Sequence, residues 1–203
     1  MRIRRSTRVA ACLVLGAWAA LVAHPTAQPA CPSLKVLLQN EAGLRADLVA
    51  KAAAEVVRLY RLIGVDIEWV TPLPENNDRL RSVCLVTREP KDSVSPHVLG
   101  VTYKRPGEAG KRAHVFVHRA QRASLQFTVP ICEVLAVVIA HELGHMIMPN
   151  GSHSKDGLMS AEWDGYQFRL ASAGLLHFSP ETAAVIRRAL MEEIGAPGIR
   201  IPE

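Results

Sequence analysis

Apolar residues along the middle of this chain switch between a period of two and a period near 3.6, and the switches mark out the elements. Lys35 to Gln39 (KVLLQ) is a short apolar run bounded by polar positions and reads as a buried strand. From Leu44 to Ile63, Leu44, Leu48, Val49, Val56, Leu59 and Ile63 form a stripe at helical spacing, and Gly64 can close the helix. Val65, Ile67 and Trp69 then alternate with Asp66 and Glu68, as in a strand with one buried face. After a loop reading TPLPENND, Ser82 to Thr87 makes a third strand and Val98 to Tyr103 a fourth. Ala113 to His118 (AHVFVH) alternates again and makes a fifth.

The pattern changes after that strand. Val134 to Ala140 is apolar at every position, which predicts a helix buried on all sides, starting near Thr128 to Pro130 with Thr128 as a cap and Pro130 in the first turn. Ser179-Pro180-Glu181 opens a final helix running to Ile194, stopped by Gly195 and Pro197 and expected to pack against the sheet. A strand-helix-strand start followed by further strands and then helices implies an α/β (α+β) domain with a mixed sheet.

Composition narrows the class once the amino terminus is set apart. Arg2, Arg4, Arg5 and Arg8 precede an uncharged apolar stretch from Val9 to Ala23, the pattern of a Sec-type signal peptide over residues 1–27. The expected location is therefore secreted or periplasmic, with residues 28–203 as a single domain and no membrane attachment after cleavage. Removing the signal takes four of 24 basic residues and none of the 19 acidic ones, so the net charge falls from +5 to +1. The basic character belongs to the signal, and no nucleic-acid partner is expected. Cys12 lies in the signal, leaving Cys31, Cys84 and Cys132, which cannot all pair internally. A Cys31–Cys84 bridge joining two strands is the expected pair, with Cys132 a thiol at the start of the buried helix.

The chemistry concentrates in residues 141 to 159, HELGHMIMPNGSHSKDGLM. Residues i and i+4 of a helix share a face, so the imidazoles of His141 and His145 can converge on one ion. Glu142 is rotated by about 100° from His141, beside the ion and not on it, where a general base should stand. A catalytic zinc takes three protein ligands and keeps a fourth position for water, whose pKa it lowers to about 7. Pro149, Asn150 and Gly151 stop the helix and turn the chain, which makes His153 the candidate third ligand. Glu162 or Glu181 would serve instead in a site completed by a downstream glutamate.

These residues resemble the metzincin clan of zinc endopeptidases, matrixins most of all. The resemblance rests on HExxH, a glycine-bearing turn, the pair His153-Ser154 and the run Gly157-Leu158-Met159. It implies Zn2+ held by His141, His145 and His153, Glu142 as base, and Met159 as the methionine of a turn beneath the metal. It also implies a mixed twisted sheet with a long N-terminal helix, the HExxH helix and a C-terminal helix. The spacing departs from HExxHxxGxxH. The third histidine comes eight residues after His145 where the clan has six, and the glycine two residues before it where the clan has three. Ser160, Ala161, Glu162 and Trp163 stand where the clan often has a tyrosine. The stretch is also similar to uncharacterised secreted bacterial proteins with the same arrangement, HExGH followed by HS..GLM.

The resemblance implies a secreted metallopeptidase hydrolysing peptide bonds by zinc-activated water, with a peptide or protein as partner. In the clan an edge strand receives an extended peptide, and Ala113 to His118 is the candidate here. Trp163 and Tyr166 are candidate cleft walls, and Gly144 marks either a close approach near the metal or plain helix packing. His24, His97, His114, His118 and His177 lack ligand spacing and take no role. Two other functions use the same residues: a secreted binding module kept folded by zinc, and a zinc hydrolase of a non-peptide amide or ester.

Overall fold

The computed structural model describes residues 31–71, 79–87, 95, 97–104 and 111–195. The expected signal peptide, His24 and most of the TPLPENND loop lie outside the described residues. Within them run β1 (Ser33–Asn40), α1 (Ala46–Arg61), β2 (Asp66–Trp69), β3 (Arg81–Val86), β4 (Gly100–Tyr103) and β5 (Arg112–Phe116). Four helices follow, α2 (Val117–Phe127), α3 (Ile131–Ile147), α4 (Gly165–Ser172) and α5 (Pro180–Gly195). The class is the expected one, a mixed and mostly parallel sheet with helices.

The strand order is β2-β1-β3-β5-β4. β1 pairs in parallel with β2 and β3, β3 in parallel with β5, and β4 antiparallel with β5. α1 is the crossover between the parallel neighbours β1 and β2. Its buried face carries Ala52, Val56, Leu59 and Tyr60, and Gly64 at φ 71° reverses the chain into β2. Alternation in β2 holds as read, with Ile67 inward and Asp66 and Glu68 exposed.

α3 is the centre of the molecule. Every residue from Val134 to Ala140 is at most 2% exposed, because α1, α2, α4, α5 and the sheet surround the helix. An all-apolar helix has no polar side to give to water, so it is stable only where covered all round. The Tyr60 hydroxyl donates to the Ala140 carbonyl at 3.0 Å, fixing α1 to α3 one residue before His141. α5 packs on α3 through residues such as Ile186 and Leu190, and reaches the sheet through an Arg81–Glu193 ion pair of 2.8 Å.

Several expectations are corrected. Ala113 to His118 is not an edge strand: β5 lies between β3 and β4 and ends at Phe116, so β4 forms that edge. Val117 and His118 already belong to α2, whose buried Val117, Ala120 and Ala123 repeat at helical spacing behind a strand-like alternation. Thr128 does not cap α3; it ends α2 in the left-handed region at φ 55°, and Pro130 takes the N-cap position of α3. Cys31, Cys84 and Cys132 are free thiols. Cys84 pairs opposite Gln39 in the β1–β3 ladder, and eight residues of extended chain separate Gln39 from Cys31, about 26 Å at 3.3 Å per residue. A disulfide requires Cα atoms within about 7 Å. α4 was not read from the sequence, although Asp164 and Gln167 form a capping box at its start.

Candidate metal centre

His141 and His145 project from the last two turns of α3 with their Nε2 atoms 2.9 Å apart, and His153 places its Nε2 3.2 Å from that of His145. Ligand atoms of all three lie within 4.8 Å of one another, close enough to hold a metal ion. Nitrogens about 2.0–2.1 Å from a tetrahedral ion lie roughly 3.3 Å from each other, so the trio needs only small adjustment to fit one. Three imidazoles suit zinc and its transition-metal neighbours and do not suit magnesium or calcium, which take oxygen ligands.

The far side of each helical ring explains the convergence. The Nδ1 of His141 lies 2.8 Å from the Leu158 carbonyl, and His145 bonds the backbone of Gly151. An imidazole donating through Nδ1–H presents its lone pair at Nε2, the form a metal ligand needs. Burial pulls the pKa of His141 down to about 3, aided by His145 and His153 and opposed by the Leu158 carbonyl. His145 falls to about 4, again by burial first, then through His153 and Lys104. The fold therefore keeps both rings neutral and ready to coordinate.

Two segments of irregular chain hold this arrangement. Gly151, at φ 53°, turns the chain after α3. A Cβ on it would lie 2.7 Å from the Lys104 Nζ, which donates to the Met148 carbonyl at 2.9 Å. Gly157, at φ 79°, opens the turn that carries Leu158 and Met159, and the Leu158 amide donates to His177 at 2.8 Å. The Ser154 amide, beside His153, donates to the Met159 carbonyl at 2.8 Å. The methionine turn thus anchors His141 through Leu158 and the His153 loop through Met159. Met159 itself is fully buried, and a Cβ on Gly144 would stand 2.6 Å from its Sδ. The close approach that Gly144 permits is by this methionine.

Glu142 lines the same cleft as the three rings and reaches toward β4. It is 4% exposed, and its Oε2 accepts from the Thr102 hydroxyl at 2.6 Å. Burial raises its pKa to about 7, against the lowering effect of Thr102. A carboxyl near neutrality can both accept and return a proton, as a general base must.

A cleft of about 990 Å³ opens over this group, walled by β4 on one side and by Ser160 to Trp163 on the other. That is the upper size of ordinary ligand pockets. Trp163 packs edge-on against His141, ring centroids 5.1 Å apart at 85°. Tyr166 is 58% exposed on α4 and does not line the cleft. Glu162 lines the cleft but lies outside the metal-binding trio, as does Glu181 at the start of α5. His97, given no role from spacing, sits on the cleft wall, whereas His114 meets the Tyr103 hydroxyl at 3.2 Å.

Sequence reasoning missed Gly100, Thr102 and Lys104, the residues of the β4 segment that touch α3 and its turn. Their spacing of two, in GVTYK, was the available signal. No protein-family model matches the chain and no curated protein matches it, so the chemistry of this centre rests on its own residues.

Proposed function

We propose that the chain is an exported zinc metallopeptidase of metzincin type that hydrolyses peptide bonds with Glu142 as general base. The observation that carries this reading is the convergence of three Nε2 atoms beside a buried, near-neutral carboxyl at the wall of an open cleft. His141, His145 and His153 would hold the ion. Zinc, when bound, supplies a Lewis acid that polarises a carbonyl and acidifies water.

The remaining steps belong to the chain. Glu142 accepts a proton at its carboxylate and delivers it to the leaving amine, and the low polarity around it keeps the carboxyl near the working pH. β4 takes the part first expected of Ala113–His118: as an edge strand along the cleft, it offers backbone groups to an extended peptide. Trp163 closes the opposite wall and limits the freedom of the His141 ring. The Leu158 and Gly151 backbone groups hold the two helical ligands in the coordinating tautomer. The mixed sheet is followed along the chain by the HExxH helix, the turn bearing Met159 and a terminal helix, an order that supports the reading. The export signal remains an expectation from residues 1–27.

Metal analysis of the mature protein should give one zinc per chain, lost in His141→Ala and at least weakened in His153→Ala. A peptide library should then show cleavage that disappears in Glu142→Gln while zinc stays bound. Full zinc occupancy in both histidine variants would remove the site. A zinc-loaded protein that cleaves no peptide would favour the binding module or the non-peptide hydrolase.

A further inference from the structure

Gly100, Thr102 and Lys104 occupy alternate positions along the edge strand and its end, and all three meet α3 or the turn that follows it. Alternate residues of a strand point to one face, so β4 and its extension present a single stripe to the HExxH helix. Thr102 donates to Glu142 Oε2 at 2.6 Å, and its Oγ1 lies 3.1 Å from the backbone carbonyl of the same residue. Gly100 forms the floor under the carboxylate: a Cβ there would lie 2.8 Å from Oε1, 2.9 Å from Cγ and 3.0 Å from Cδ. Lys104 fixes the end of the stripe on the Met148 carbonyl.

From this juxtaposition we propose that Gly100 and Thr102 are positioning residues for the base, setting the Glu142 carboxylate from the strand along which substrate would lie. The proposal rests on the metallopeptidase reading for its catalytic consequence and on β4 geometry for its structural one. Thr102 has one hydroxyl proton and gives it to Oε2, so one carboxylate oxygen is oriented and the lone pairs of Oε1 remain for the proton in transit. Gly100 is required because a Cβ there would lie 3.0 Å or less from the carboxyl carbon and from Oε1, so that the carboxylate would have to shift. The atoms that a Cβ would strike belong to the flexible end of Glu142. Gly100→Ala therefore moves the base without breaking the fold. A shift of about 1 Å at a reacting group costs on the order of 100-fold in rate.

The test uses Thr102→Val, Thr102→Ser and Gly100→Ala in the full mature protein, with zinc content, melting temperature, kcat and KM measured, and crystal structures of each variant. Thr102→Val keeps the shape and removes the hydroxyl. The expected result is one zinc per chain throughout, kcat lowered about 10- to 100-fold in Thr102→Val and Gly100→Ala with KM within about 2-fold, and recovery in Thr102→Ser. A merely structural role would lower the melting temperature and leave kcat of the folded fraction unchanged, which overturns the proposal. If the wild-type protein cleaves no peptide, the function proposed above fails and the crystal structures decide this one. A displaced Glu142 carboxylate in Thr102→Val and Gly100→Ala supports it, and a carboxylate in its original place overturns it.

Discussion

Replacing Gly144 by alanine sets two opposing effects against each other in the interior of α3. Glycine inside a helix costs about 1 kcal/mol relative to alanine, so propensity alone makes Gly144→Ala stabilising by that amount. The new Cβ, however, would stand 2.6 Å from Met159 Sδ, 3.2 Å from Met159 Cε and 3.6 Å from the Phe178 ring. Methionine is a flexible side chain, but Met159, Leu158 and Met146 are all fully buried, so the sulfur has no solvent to move into. Overpacking of this kind costs about 1–3 kcal/mol, which outweighs the propensity gain and leaves a net loss of about 1 kcal/mol. Displacing Met159 also pulls on both anchors of the metal centre, the Leu158 carbonyl on His141 and the Met159 carbonyl on the Ser154 amide. Loss of such outer contacts typically lowers metal affinity about 10- to 100-fold. Urea unfolding and zinc competition against a chelator measure the two quantities. Met159→Ala alone should cost about 2–5 kcal/mol through its cavity, and in the Gly144→Ala background it should cost less, because the added methyl occupies part of that space. A Gly144→Ala protein about 1 kcal/mol more stable than wild type, with unchanged zinc affinity, would refute the reasoning.

Three other outcomes follow from the same structure. In the metal-free protein the fold holds His141 at about 3 and His145 at about 4, both below the ordinary value near 6.5. Over about pH 6.5 to 4.5 the two rings bind protons in the unfolded chain only, while Glu142, raised to about 7, binds one in the folded chain only. The net excess of one proton in the unfolded chain means that stability should fall with falling pH by up to about 1.4 kcal/mol per unit; a flat urea-midpoint profile there would contradict it. Native thiol labelling should modify exposed Cys31 first and spare Cys84, which is buried and has its pKa raised to about 12 by burial and by Glu41, and mass spectrometry should find no bridge between them. Glu193→Ala strips the carboxylate from Arg81, which is 1% exposed, and should cost about 3 kcal/mol in urea unfolding; a loss under about 1 kcal/mol would show the ion pair to be incidental.

The sequence by itself determined the elements whose local signal and tertiary role agree. α1, β2 and α3 follow from apolar spacing, since a stripe, an alternation or an all-apolar run each admits one kind of burial, and α5 follows from its Ser179-Pro180-Glu181 start and the glycine at its end. His141, Glu142 and His145 were equally legible, because helix geometry relates positions i, i+1 and i+4 without reference to the rest of the fold. The approach of His153 depended on a turn, and the glycine that makes it was visible too.

Only the tertiary structure decided which strand is the edge. β4 and β5 have similar local patterns, and pairing between strands is set by contacts distant in sequence. The same reason hid Gly100 and Thr102, whose meaning comes from α3 passing over β4 some forty residues later in the chain. Register also removed the expected disulfide, since Cys31 precedes β1 while Cys84 pairs near the far end of that strand. Spacing along one helix brought out His141 and His145, whereas the setting of Glu142 required two elements to meet.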